Sequence, residues 1–285
     1  MPLLIPRTKE SAHYYLRDGT SFHNVEYSDP KRKGQLRPTT LKDARSKNAL
    51  PSVTTVDKLI VNKALEAWKI ENAILAALTL PRLNGETDDA FAARVATDTK
   101  ETASTAATFG TAIHDACEAY LMERVKTDLV TLAPYCGPVF DWIDENVEEV
   151  IGCEYVVVSN FGYAGRVDTK VVLRQGRTAY NDLAASNIGF NGIAIIDFKT
   201  RKPNNGKLRS YDSDSRQLSA YLNAEQDSPA GGLRPTATAN LYISSVDPMS
   251  PVFKPWSSAD MLDSWRVFRT TLELWTLINY YNPAF

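Results

Sequence analysis

The stretch Ile193-Ala-Ile-Ile-Asp-Phe-Lys-Thr200 constrains this chain more than any other. It is a short β-branched run that leads directly into a carboxylate and an amine one residue apart. Strand alternation sends Asp197 and Lys199 to one face, and Ile196 and Phe198 to the other. One face suits a core, while the other presents opposite charges together. An edge-strand ion pair would account for this tripeptide by itself, so its meaning depends on the residues that accompany it.

Around that run the pattern changes period. Residues 1–50 are polar and turn-rich and read as loops with one hairpin. Hydroxyls of Pro51-Ser-Val-Thr-Thr-Val can cap a helical region in which Leu59, Ile60, Trp68, Ile74, Leu75 and Leu78 recur until Pro81. Helices are expected over Asp88–Ala107, from Phe109-Gly110 to about Val125, and over Val139–Val150. Strands follow at Glu154–Val158, Tyr163–Leu173 and Ile193–Lys199, with Asn160-Phe-Gly162 as a hairpin turn and Arg174–Gly192 as a long polar loop. A helix over Asp214–Gln226, a strand over Leu241–Ser245 and a closing helix through Met261, Trp265, Phe268, Leu272 and Trp275 complete the chain. This order predicts an α/β fold of the α+β kind: a mixed central sheet flanked by helices. Loops and a helical elaboration would occupy 1–107 and the core 108–285, together forming one compact unit.

Composition narrows the class. No apolar run approaches the ~20 residues of a membrane span, and the N-terminus lacks a signal-peptide core, so a cytoplasmic protein is expected. Cys117, Cys136 and Cys153 fit neither a disulfide framework nor a zinc or iron–sulfur spacing. The net charge of −2 hides strong polarisation. Residues 1–50 carry ten Lys/Arg against five Asp/Glu, and 197–216 six against three, whereas 84–154 carry four against fifteen. Such a chain can present a basic groove while acidic overall.

Four local pieces can carry chemistry. In Gly110-Thr-Ala-Ile-His114-Asp-Ala-Cys-Glu118, His114 and Glu118 share a helix face at i,i+4, either as a metal ligand with its companion or as a surface ion pair. In Gly165-Arg-Val-Asp168, alternation groups Asp168 with Arg166 and Lys170, and Gly165 implies a bulge or a close approach to the backbone. Asp168 and Asp197, at adjacent strand ends, suit Mg²⁺, which takes hard oxygen ligands and keeps several waters. Lys199 beside them can orient or deprotonate a water and stabilise a pentavalent transition state, with the Phe198 carbonyl as a further ligand. On the next helix Gln217 and Tyr221 share a face and can reach phosphate oxygens or brace the lysine. A carboxylate pair with a lysine is what metal-assisted hydrolysis of a phosphodiester requires.

In this order, Gly-x-x-x-His-x-x-x-Glu, Gly-x-x-Asp, Asp-x-Lys and Gln-x-x-x-Tyr, the chain resembles the RecB-like branch of the PD-(D/E)XK nuclease superfamily. The resemblance implies a restriction-endonuclease-like core, Mg²⁺ or Mn²⁺ held by His114, Asp168 and Asp197, catalysis by Lys199, and support from Gln217, Tyr221 and Glu118. Glu154 would correspond to an acidic residue of some members. Leu50-Pro-Ser-Val-Thr-Thr55, with Leu65 and Trp68, is similar to phage-encoded members and the mitochondrial genome maintenance exonuclease, which act on single-stranded DNA. Related CRISPR-associated nucleases carry an iron–sulfur cysteine cluster, which these cysteines do not match. The expected partner is therefore DNA, single-stranded or with free ends, together with a replication or recombination factor. Arg166, Arg201, Lys202, Lys207 and Arg209 would contact phosphates, Trp68, Tyr163 or Tyr211 would stack bases, and the 174–192 loop would touch DNA or a partner. The competing expectation is a non-cleaving recombination or repair accessory protein of the same fold.

Overall fold

The computed structural model describes residues 12–126, 130–227 and 230–284. Part of the N-terminal basic surplus, Arg7 and Lys9, lies outside them. The first elements are short: β1 (Tyr14–Tyr15), β2 (Asn24–Glu26), β3 (Leu36–Pro38), α1 (Leu41–Ser46), β4 (Leu50–Pro51) and α2 (Val53–Asp57). β2 and β3 form the expected hairpin, and β1 pairs with β4. Ser52 caps α2 through the Thr55 N–H, which satisfies a donor that no earlier turn could serve.

Two long helices follow, α3 (Lys63–Thr79) and α4 (Asp88–Glu123). Thr87 caps α4, Asp88 and Asp89 complement its N-terminal dipole, and Arg124 ends it in a left-handed conformation at φ 58°. The two helices expected over 88–125 are therefore one rod of 36 residues. Gly110 lies inside it, and α4 crosses residues 107 and 108 unbroken. The apolar residues before Pro81 are not core: among the described side chains of α3 only Ala76 is buried, while Leu65, Ile74, Leu75 and Leu78 are exposed.

α5 (Ala133–Asn146) ends earlier than expected, and the chain passes directly into β5 (Val147–Ser159). β6 (Tyr163–Leu173) returns antiparallel after a turn at Gly162. There φ is +89°, and a Cβ would sit 2.6 Å from the backbone nitrogen of Ala284, so only glycine fits. The segment expected to be a loop holds α6 (Thr178–Ser186). Then come β7 (Ile193–Arg201), α7 (Asp212–Asp227), β8 (Ala237–Ser244), β9 (Val252–Trp256) and α8 (Ser258–Asn279). β9 was not foreseen; it tolerates Pro255 because it lies at the sheet's edge.

The central sheet runs β5-β6-β7-β8-β9, antiparallel except for the parallel pair β7/β8 that α7 connects. It is a mixed sheet with helices on both faces. One face buries Ile196, Phe198 and Leu241 with Ile113 and Cys117 of α4 and Phe140 of α5. The other buries Val157 and Ile195 with Leu218 and Ala224 of α7 and Phe268 of α8. The alternation read at 193–200 thus places both faces of β7 correctly. Cys117 and Cys136 are buried and Cys153 half-buried, all as thiols. Among the described residues no helix is long and apolar enough to cross a membrane.

Candidate active site

Pairing between β6 and β7 stops at Thr169 and Ile196, and beyond it the strands part. The Asp168 carboxylate fills the gap and accepts the Phe198 N–H at 2.8 Å in place of a neighbouring strand's carbonyl. In an extended strand a residue's N–H and C=O leave on the same side, so the Phe198 carbonyl also faces this notch. His114 arrives from α4, with Nδ1 3.7 Å from Asp168 Oδ2. Its carboxylate partner is therefore Asp168 and not Glu118, which stays half-buried one turn on and forms no ion pair among the described residues.

Asp197 and Lys199 project together from β7 toward α7. Lys199 Nζ donates to Asp197 Oδ1 at 2.9 Å and to Gln217 Oε1 at 3.1 Å. Gln217 Nε2 donates in turn to the Tyr221 hydroxyl at 2.7 Å. Tyr221 is 3% exposed, so it braces the lysine and does not reach a phosphate. Its ring explains Gly165: a Cβ there would sit 2.4 Å from Tyr221 Cε1 and 3.1 Å from Val53. The close approach expected at Gly165 is made by this phenol and by the Leu50–Thr55 segment, not by a ligand.

Sequence reasoning missed Asn240. It lies beside Asp197 in the β7/β8 register and donates to Asp197 Oδ2 at 2.7 Å. The available signal was a lone amide in the apolar run Ala239-Asn240-Leu241. It also missed Asp214, which holds Arg201 at 2.6 Å and accepts from the Tyr242 hydroxyl at 2.7 Å.

Other expectations need correction. Lys170 does not share a face with Asp168; it is fully buried against Glu225 of α7 at 2.9 Å. Glu154 lies within β5 at φ +47°, not at its start, and its nearest charge partner is Arg166 at 3.6 Å. Arg166 also donates to Ser21 Oγ at 3.3 Å, so two partners hold its guanidinium. Arg201 is engaged by Asp214 and lies over the Tyr211 ring at 4.3 Å, which commits both to the fold. Tyr163 is completely buried and donates to the Ala220 carbonyl, so it cannot stack a base. Lys202, Lys207 and Arg209 are exposed around the tight turn at Asn205-Gly206 and form no ion pair among the described residues. Trp68 is half-buried on α3.

The charges are not balanced. Burial pushes Asp168 and Asp197 each up to about 6, although Lys199 pulls both down. Glu154 and Glu118 push Asp168 the same way as burial does. Burial, followed by Lys199, lowers His114, so it presents a neutral imidazole at pH 7. For Lys199 burial acts downward, but Asp197 and Asp168 outweigh it and hold the amine protonated.

Folding therefore favours the protonated carboxyls. Their contribution to stability is complete below the ordinary value of 3.8 and is lost as pH rises through about 6. Asp168→Asn, which keeps an oxygen for the Phe198 N–H, is expected to raise the melting temperature by a few degrees near pH 8 in chelator. It should give no gain near pH 3.5. Melting curves at the two pH values check this, and equal curves near pH 8 would remove the burial cost.

Buried carboxylates with excess negative charge, a neutral imidazole and a carbonyl form a donor set that fits Mg²⁺ or Mn²⁺. Among the described residues no three His, Cys, Asp or Glu side chains are already gathered as a cage. Mg²⁺ needs none, since one or two carboxylates and several waters commonly hold it. An open cleft of about 260 Å³ adjoins these groups, between Ala106, Ala107, Gly110 and Thr111 of α4 and Lys199 and Thr200 of β7. A hollow of about 350 Å³ between α3 and α4 contains none of them. No protein-family model matches the chain, and no curated protein matches its sequence.

Proposed function

We propose that this chain is a divalent-metal-dependent deoxyribonuclease of the RecB-like PD-(D/E)XK kind, an exonuclease acting on single-stranded DNA or DNA ends. One observation carries the reading: His114, Asp168, Asp197 and Lys199, spread over 86 positions, meet at one notch with Gln217 and Tyr221 behind the lysine. Asp168, Asp197, His114 and the Phe198 carbonyl would hold Mg²⁺ or Mn²⁺. Once bound, the ion would acidify water and offset charge on the scissile phosphate. Lys199 is held as an ammonium, so its part is to stabilise negative charge on the phosphoryl oxygens and not to take a proton from water. Gln217 and Tyr221 fix the direction from which that ammonium acts. Lys202, Lys207 and Arg209 offer sequence-independent contacts to the DNA backbone.

End-labelled linear and circular DNA, single- and double-stranded, incubated with Mg²⁺ or Mn²⁺ tests the proposal. Degradation of linear DNA with circles spared is the expected result. DNA binding without degradation by either ion would favour the accessory-protein reading instead. Removing two phosphate contacts with Lys207→Ala and Arg209→Ala together should weaken DNA binding alike for all sequences. The slope of log K against log salt should become shallower by about two. An unchanged slope from fluorescence-anisotropy titrations would exclude this turn from the interface.

A further inference from the structure

The polar chain that begins at Tyr221 does not stop at Asp197. Asn240 Nδ2 donates to Asp197 Oδ2 at 2.7 Å and lies 3.3 Å from the Asp197 carbonyl, and Asn240 Oδ1 accepts from Trp256 Nε1 at 2.8 Å. We propose that Asn240 and Trp256 are positioning residues that set the orientation of the Asp197 carboxylate; this rests on the reading of Asp197 as a ligand given above.

The direction of the chain is fixed by chemistry. An indole N–H only donates, so the amide oxygen of Asn240 must face Trp256 and its NH₂ must face Asp197. Trp256 cannot turn away. Its ring is 8% exposed and packs in the same apolar cluster as Met261 and Phe268. Its strand is paired to β8 through Thr238, and its carbonyl accepts from Asn187 Nδ2 at 3.1 Å. Asn240 is fully buried and is held next to Asp197 by the β7/β8 ladder, not by a loop. The carboxylate is thus gripped from two sides, by an amide from β8 and by the Lys199 ammonium from its own strand. The amide is neutral. It orients Asp197 without cancelling its charge, which a basic residue in that place would do.

Asn240→Leu and Trp256→Phe test the proposal; the second keeps an aromatic ring in the same cluster, smaller by the fused five-membered ring, and removes the donor. Mn²⁺ affinity, measured by calorimetry without DNA, should fall about 10–100-fold in Asn240→Leu and less in Trp256→Phe. In both, kcat for DNA cleavage should fall with KM unchanged, and melting temperature should drop as well, because Trp256 Nε1 or Asn240 Oδ1 is left without its partner. In metal-free crystals of either variant, the Asp197 carboxylate should have turned from its present orientation. If Asn240→Leu does not fold, Trp256→Phe carries the same measurements. Parental Mn²⁺ affinity in the variants, or Asp197 in its present orientation, would overturn the proposal. A parent chain that binds no Mn²⁺ sinks the metal reading alone. The orientation of Asp197 in the variant crystals then decides this one.

Discussion

Lys199→Ala is expected to lower DNA cleavage by about 10²–10⁴-fold while leaving the fold intact. The side chain is 23% exposed, so its removal opens no sealed cavity. Asp197 keeps its hydrogen bond from Asn240, and Asp168 keeps the Phe198 N–H. What is lost is the ammonium bonded to Asp197 and held by Gln217. Without that internal counter-charge the two carboxylates should hold a divalent ion at least as tightly as before. Intact Mn²⁺ binding with lost cleavage is therefore the signature of the variant, read by calorimetry and by release of end label. Cleavage at the parental rate would remove Lys199 from the mechanism.

Lys170→Met should destabilise the chain strongly, by about 3–5 kcal/mol. Its ammonium donates to Glu225 Oε2 at 2.9 Å, to the Ala230 carbonyl at 2.6 Å and to the Leu233 carbonyl at 2.9 Å. All three protons are used, and both side chains are completely buried. Methionine would leave Glu225 charged, buried and without its lysine, and two carbonyls without a donor. Adding Glu225→Leu should recover most of the loss, because an apolar pair of similar volume does not have to be desolvated. Denaturant unfolding of the single and double variants measures both effects. A single variant as stable as the parent would mean that the buried pair contributes nothing. The contact also ties the far end of the helix that carries Gln217 to the strand that carries Asp168.

The parts of this site that were legible in the sequence are those set by short-range periodicity. Alternation along one strand was enough to put Asp197 beside Lys199, and one helical turn was enough to pair Gln217 with Tyr221. Asn240 was not legible, because its place beside Asp197 depends on a ladder between segments 43 positions apart. Lys170 escaped simple alternation because β6 turns over near Asp168: Val167 packs in one apolar cluster and Val171 in the other.

The helix at Thr178–Ser186 lacks a start signal of its own. It has neither a side-chain cap from its own N-cap residue nor an acid in its first turn. Asn146, at the end of α5, accepts the Ala179 N–H at 3.2 Å and serves from a distance. A helix was expected to open at Phe109-Gly110, yet Gly110 lies inside α4 although glycine costs about 1 kcal/mol in a helix interior. Here α4 passes Thr200 at that point, and a Cβ on Gly110 would lie 3.7 Å from it.

The unbroken α4 has a mechanical consequence. At a rise of about 1.5 Å per residue, His114 lies about 39 Å along the same rod from Asp88, where the α3–α4 hairpin turns. Only the C-terminal part of that rod is bolted to the sheet, through Ile113, Cys117 and Leu121. The remainder is a lever arm whose pivot lies beside the imidazole. The hairpin is thus carried on the same unbroken helix that brings the imidazole to the notch.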